Sequence, residues 1–89
     1  MNRLIIHPRI EERHPELDES DVVCAWNNAF LSTTRTKKNP NQYLAIGADS
    51  KGRMLEMVAV LTENGDWLVF HAMTPPSDNT LDELHLGRG

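Results

Sequence analysis

The pair Asn64-Gly65 limits the folding of this chain more strongly than any other part of the sequence. Asn-Gly between two apolar runs is the strongest short-range signal of a β-hairpin, because both residues accept positive φ angles. The runs on either side, RMLEMVAVL and WLVFHAM, are therefore expected as antiparallel strands. A third apolar run, QYLAIGA, comes before the turn DSKG. Together the three segments predict an antiparallel meander.

The rest of the chain predicts helices and one further strand. RLIIH is typical of a short first strand, and RIEERH of a short helix that ends before Pro15. TTRTKKNPN is expected as a loop that begins in extended form, and SDNTLDELHL as a short last helix. LDESDVVCAWNNAFLS is the clearest helix, with Asp18 as its N-cap. Its apolar stripe consists of Val22, Trp26, Ala29 and Phe30.

The predicted fold class is α+β. A short N-terminal strand comes first, and two helices pack on one face of a mostly antiparallel sheet of about four strands, with a short C-terminal helix as an addition. The 89 residues are enough for one domain, which we place at 1–86, with 87–89 as a tail.

A two-residue turn at Asn64-Gly65 also decides which side chains share a face of the sheet. It places Val58 opposite His71, on the face turned away from the helices. Glu56 is then the diagonal cross-strand neighbour of His71 and within reach of its ring. The same reasoning places Trp67, Val69 and Tyr43 on the open face. It places Leu44 and Ile46 on the face that the helices cover.

His71 and Glu56 are the best candidates for chemistry. A carboxylate beside an imidazole fixes the tautomer of the ring and suits it for general acid or base catalysis near neutral pH. The alternative is a half-exposed strand histidine in a purely structural ion pair.

Basic side chains in two loops are candidates for binding phosphate groups. Arg53 and Lys51 flank the turn DSKG, and Arg35 and Lys37 belong to a short basic run. Arginine matches phosphate through paired N–H donors, whereas lysine acts as a point charge. The alternative is a set of solvated loop charges, because the net charge of the chain is −4. An acidic total also argues against broad nucleic-acid binding, which needs a basic excess.

No metal and no other cofactor is expected. The single cysteine, Cys24, excludes a disulfide within one chain and a cysteine-based metal site. His7, His14 and His71, with Glu11, match no metal-ligand spacing. The first residues contain an apolar run of only three, too short for a signal peptide or a membrane span, so we expect a cytoplasmic protein without membrane association.

Apolar residues on the predicted open face suggest an alternative function of a different class. Val58, Val60 and Val69 would form an apolar patch there, and such patches often mark a partner surface. The alternative is a non-catalytic binding module that holds a protein partner, or a second copy of itself as a homodimer, on this face.

Three segments resemble the motifs of BrnT-like toxins. RIEERHPELDESDVVCAW is similar to their K-H-G-V-S-F-E-E-A helix entry, and YLAIGADSKGRMLEMVAVL to their R-Y-x-x-I-G-x-x-x-x-G-R-x-L-x-V-V hairpin. VFHAMTPP takes the place of their I-I-S-A-R-x-A strand. The resemblance spans roughly residues 9–84.

BrnT-like proteins are toxins of type II toxin–antitoxin pairs with a compact RelE/ParE-like fold. The resemblance implies metal-independent RNA cleavage and neutralisation by a small DNA-binding antitoxin. It also makes Arg53, which matches the arginine after the family's hairpin glycine, a catalytic candidate beside His71 and Glu56. Two positions depart from the family: Met73 stands where it has an arginine, and His71 where it has a serine. We therefore expect a ribonuclease with a changed site, or a descendant that has lost catalysis.

Overall fold

A computed structural model describes residues 3–35 and 41–84 of the chain. The predicted α+β class, the short first strand and the three-strand meander are confirmed. No helix in these two stretches is long and apolar enough to cross a membrane. The elements follow one another in this order: β1 Leu4–Ile6, α1 Arg9–Arg13, α2 Glu19–Asn27, β2 Leu31–Thr34, β3 Gln42–Ala48, β4 Met54–Leu61, β5 Trp67–Met73 and α3 Asp78–Glu83.

The strands form one sheet in the order β1-β5-β4-β3-β2. β1 runs parallel to β5, and the other neighbouring pairs are antiparallel. The sheet thus has five strands where the sequence predicted about four. The additional strand is β2, whose first two residues were expected at the end of the helix and whose last two begin the segment expected to start in extended form. Its half-buried Leu31 and Thr33 alternate with exposed residues and pair with β3. Four residues are too few for such an alternation to predict a strand by itself.

α2 packs on one face of the sheet and is capped as predicted. The Asp18 side chain accepts a hydrogen bond from Asp21 N at 2.9 Å, and Asp18 N donates to Asp21 Oδ2 at 3.1 Å. Gly47 of β3 permits a close approach of the helix, because a Cβ there would lie 1.9 Å from the carbonyl oxygen of Ala25. The core between the helices and the sheet consists of Ile10, Leu17, Val22, Ala25, Ala45, Leu55, Met57, Ala59, Val69 and Ala72.

α2 is shorter than predicted. It ends at Asn27, and Phe30 N donates to Ile46 O at 3.1 Å as the chain enters β2. Phe30 therefore leaves the helical stripe and is 58% exposed, although the sequence predicted it in the core. The pair Asn27-Asn28 explains the early end, because asparagine competes with helical hydrogen bonds and favours helix termini.

A β-bulge in β5 changes the register near the hairpin. Val58 pairs with His71 as predicted, but Ala59 pairs with Val69, so Phe70 is the extra residue. The connection is a longer loop between the ends of β4 and β5 rather than the two-residue turn that the sequence predicted. A bulge depends on how the strands twist and pack, which a turn motif does not reveal.

The actual registers correct the predicted faces of five residues. Trp67 and Val69 lie beyond the bulge and belong to the helix-covered face, where Val69 is buried in the core. Tyr43 packs edge-on against Trp67, with ring centroids 4.6 Å apart, and so shares that face. Leu44 pairs with Val58 and Ile46 pairs with Glu56, so Leu44 and Ile46 lie on the opposite face.

The face turned away from α1 and α2 is covered, and the prediction of an open face is wrong. Leu44, Ile46 and Val58 on this face are buried. The short C-terminal helix α3 is tied to it at its start, because Ser77 N donates to Glu56 Oε1 at 2.7 Å. This six-residue helix is thus tied to the sheet on the side opposite α1 and α2.

Candidate functional site

His71 and Glu56 form a hydrogen-bonded pair on the face of the sheet turned away from α1 and α2. Glu56 lies on β4 and His71 on β5, and Val58 is paired directly with His71. Glu56 Oε2 lies 2.7 Å from His71 Nε2, so the diagonal contact that the sequence predicted is present. The longer hairpin loop shifts the pairing next to it by one residue, and the bulge at Phe70 shifts it back, so Val58 pairs with His71 as predicted although the turn differs.

The Glu56 carboxylate is buried and accepts several hydrogen bonds. Its side chain is 6% exposed, with Oε2 against His71 and Oε1 against Ser77 N. Burial raises the pKa of Glu56, but the hydrogen bonds from His71, Ser77 and Thr80 together outweigh burial and lower the pKa from 4.5 to about 2. Glu56 is therefore ionised at neutral pH.

The charge of Glu56 fixes the tautomer of His71. An ionised carboxylate has no proton to donate, so the hydrogen in the 2.7 Å contact must be on His71 Nε2. In the neutral ring Nδ1 is then the basic nitrogen. Nδ1 makes no hydrogen bond within the described part of the chain, and the His71 side chain is 34% exposed. The ring thus offers one free nitrogen to a bound molecule.

A groove of about 330 Å³ surrounds the His71–Glu56 pair. Its lining brings His71 and Glu56 together with two arginines, Arg9 from α1 and Arg35 from the end of β2. Residues of α3 form another wall. The structure therefore places an imidazole, a carboxylate and two guanidinium groups around one concave surface.

Arg9 is a groove residue to which none of the sequence motifs pointed. Its Nε donates to Phe70 O at 3.1 Å, and its guanidinium carbon lies 5.6 Å from the centroid of the Phe70 ring. These contacts hold the side chain beside the bulge, next to His71 in the chain. The observation that could have identified it is the four-residue spacing of Arg9 and Arg13, which puts two arginines on one side of α1.

Arg35 lines the groove, but its charge is balanced by α3. Its Nη2 donates to Glu83 Oε1 at 3.1 Å and its Nε to Glu83 Oε2 at 3.3 Å. This two-point pairing is the geometry in which arginine also binds phosphate. Lys37, the other predicted phosphate contact of this segment, lies outside the described residues.

Arg53 and Lys51 lie on the other side of the sheet, and the structure does not bring them to His71. Arg53 Nε donates to Asp49 Oδ2 at 2.8 Å, and its Nη2 to Asp21 Oδ2 at 3.1 Å. Lys51 Nζ donates to the same oxygen of Asp21, which belongs to α2, at 3.3 Å. Burial raises the pKa of Asp49, but the hydrogen bonds from Arg53 and Lys51 outweigh it and lower the pKa. In this arrangement the two cations neutralise buried carboxylates.

The remaining candidates for chemistry have other contacts. His7 Nδ1 accepts a hydrogen bond from a backbone N–H at 3.1 Å, and His14 Nδ1 lies 3.8 Å from Glu16 Oε2. Cys24 Sγ accepts a hydrogen bond from Asn28 Nδ2 at 3.4 Å. In the two described stretches, no three His, Cys, Asp or Glu side chains are arranged to hold a metal ion.

The chain matches no protein-family model, no curated protein and no solved structure. The resemblance to BrnT-like toxins therefore depends on the short motifs alone and stays a prediction. The groove with His71, Glu56, Arg9 and Arg35 in its lining is the candidate site.

Proposed function

We propose that this chain is a metal-independent ribonuclease and that the groove around His71 is its active site. The supporting observation is the 2.7 Å contact between His71 Nε2 and the Glu56 carboxylate, in a groove that Arg9 and Arg35 also line. The BrnT-like motifs suggest the biological setting, which is the toxin of a type II pair held inactive by a small antitoxin.

His71 is the general base in this proposal. RNA carries its own nucleophile, the ribose 2′-OH beside each phosphate, so the enzyme has only to move protons and stabilise charge. His71 Nδ1 takes the proton of the 2′-OH, and the oxygen attacks phosphorus to form a 2′,3′-cyclic phosphate. The bond from phosphorus to the 5′ oxygen of the next nucleotide breaks, and the imidazolium gives that oxygen the proton. Glu56 orients the ring and stabilises the imidazolium.

Arg9 is the cation that stabilises the reacting phosphate. The family arginine on the last strand is replaced by Met73, but Arg9 reaches the same groove from α1. Within the described stretches Arg9 forms no ion pair with a carboxylate, so its terminal nitrogens remain available. Arg35 is a second cation once its pair with Glu83 opens.

The alternative function, a non-catalytic binding module, has less support. The apolar side chains that it would present, Val58 and Val69, are both buried, and Val69 belongs to the other face of the sheet. What remains accessible near His71 is a polar groove with two arginines, which suits an anionic ligand better than an apolar partner surface.

Cleavage of RNA in the presence of EDTA tests the proposed reaction. We expect the purified protein to cut an RNA oligonucleotide into fragments that end in 2′,3′-cyclic phosphate, and to leave DNA of the same sequence intact because DNA lacks the nucleophile. Arg9→Ala should lower kcat/KM by roughly 10²-fold, the usual effect of removing one charge-stabilising donor. Arg3→Ala is the matched control, because Arg3 is 74% exposed and paired with Asp66.

Three results would contradict the proposal: a requirement for added Mg²⁺, equal cleavage of RNA and DNA, or equal losses in the two arginine variants. The toxin setting has a separate test. Induced expression of the chain should arrest cell growth, and co-expression of the small protein encoded beside it should restore growth.

A further inference from the structure

Arg9 and Arg13 differ from the other basic side chains in the described stretches. The others each pair with a carboxylate: Arg3, Arg35, Lys51 and Arg53. Arg9 and Arg13 form no such pair there, although the chain has 13 acidic and only 9 basic residues. Two like charges four residues apart also destabilise a helix slightly. An anionic ligand would therefore balance the charges of these two arginines.

Arg13 lines a second concavity, of about 100 Å³, which adjoins the groove. Arg9, Arg13 and His14 line it from α1 and its C-terminal end. Phe70 and His71 line it from β5. Arg9 and His71 line both concavities, so the two concavities meet at the proposed catalytic base.

We propose that this second concavity binds a phosphate adjacent to the one that is cleaved, and we call it the second phosphate subsite. The inference deepens the proposed function and rests on it. It makes the substrate a strand with at least two successive phosphates, and it makes the enzyme an endonuclease that reads the backbone on one side of the cut.

The spacing of the two arginines supports a strand as the ligand. Side chains four residues apart on a helix have Cβ atoms about 6 Å apart, which is of the same order as the separation of successive phosphates. Arg13 is exposed, and its guanidinium fork matches a phosphate oxygen pair. Two carboxylates lie against lining residues of the second phosphate subsite: Glu16 Oε2 is 3.8 Å from His14 Nδ1, and Glu56 Oε2 is 2.7 Å from His71 Nε2. Glu11 and Glu12 of the same helix line a different concavity.

Binding of DNA trinucleotides tests the inference without relying on cleavage. The probes are a thymidine trinucleotide with two phosphates and two versions of it, in each of which one phosphate is replaced by a neutral methylphosphonate. Each probe is titrated into the protein at low salt, and the changes in the amide chemical shifts of the protein give Kd. In the wild type, we expect each replacement to raise Kd by about tenfold, the usual effect of losing one charged hydrogen-bonded pair. In Arg13→Ala, one of the two replacements should change Kd by less than about twofold.

Arg3→Ala is again the matched control and should keep both sensitivities. The inference fails if the wild type does not bind the trinucleotide, if either replacement leaves its Kd unchanged, or if Arg13→Ala keeps both sensitivities. Because the probes lack a 2′-OH, they are bound but not cut. Failure to cleave RNA would remove the proposed function, whereas retained sensitivity in Arg13→Ala would remove only the second phosphate subsite.

Discussion

Single residues of this protein carry charges inside an otherwise apolar structure. Glu56, Asp49 and Asp21 are all buried, and each is satisfied by cations or N–H donors. A buried carboxylate is tolerated only with such partners, because removing it from water costs several kcal/mol. The stability of the fold should therefore depend on pH and on the cations that face these carboxylates.

The free energy of unfolding should fall as the pH is lowered from 4.5 towards about 2. The pKa of Glu56 is lowered from 4.5 to about 2, so its contribution is complete above the higher value and is lost as the pH falls through the lower one. A shift of this size corresponds to on the order of 3 kcal/mol. Urea unfolding at several pH values measures the loss. Glu56→Gln should show a shallower pH dependence, and an unchanged slope would contradict the assignment.

Arg53→Ala should be much more destabilising than Arg3→Ala. Arg53 faces two buried carboxylates, Asp49 and Asp21, and its removal leaves them without their main partner. We expect a loss of about 3 kcal/mol for Arg53→Ala. We expect less than about 1 kcal/mol for Arg3→Ala, because that ion pair is exposed on the arginine side. Urea unfolding of both variants compares them, and equal losses would show that Arg53 does not hold this cluster.

At the level of elements, the fold depends on how closely α2 approaches β3. The contact point is Gly47, where a Cβ would lie 1.9 Å from Ala25 O. Gly47→Ala must push the helix away, and we expect it to cost more than about 2 kcal/mol. Gly52→Ala is the control: Gly52 has open space around it but a φ of 80°, so about 1 kcal/mol of backbone strain is expected. A smaller loss for Gly47→Ala than for Gly52→Ala in urea unfolding would contradict this packing.

The elements that could be predicted have local signals. The meander follows from apolar runs and turn residues, and α2 follows from its apolar spacing and the Asp18 cap. The contact of Glu56 with His71 was predicted from a two-residue turn that the structure lacks, and it is present because the longer loop and the bulge shift the register in opposite directions.

The elements that could not be predicted depend on tertiary contacts. The bulge at Phe70 needs the twist of the whole sheet, and the attachment of α3 to the sheet needs the bond from Ser77 N to Glu56. Arg9 comes to the groove only because α1 follows a strand that pairs with β5. The sequence placed this helix on one face of the sheet but did not predict the pairing of β1 with β5, so it did not bring Arg9 to His71.

Across the whole molecule, the distribution of charge matters more than its sum. The net charge of −4 argues against broad nucleic-acid binding. However, several carboxylates are already paired with cations on the other side of the sheet. Four more line a concavity away from the groove: Glu11, Glu12, Asp18 and Glu19. Arg9 and Arg13 remain as a local positive site beside His71. A local site of this kind can bind a short phosphate backbone although the total charge is acidic.

The most direct test of this account is the single-turnover rate of RNA cleavage in EDTA by the wild type and by His71→Ala, with both proteins shown to be folded by far-UV circular dichroism. We expect the wild type to cleave and His71→Ala to be slower by about 10²-fold or more, the usual contribution of a general base. An equal rate in the two proteins, or no cleavage by either, would contradict it.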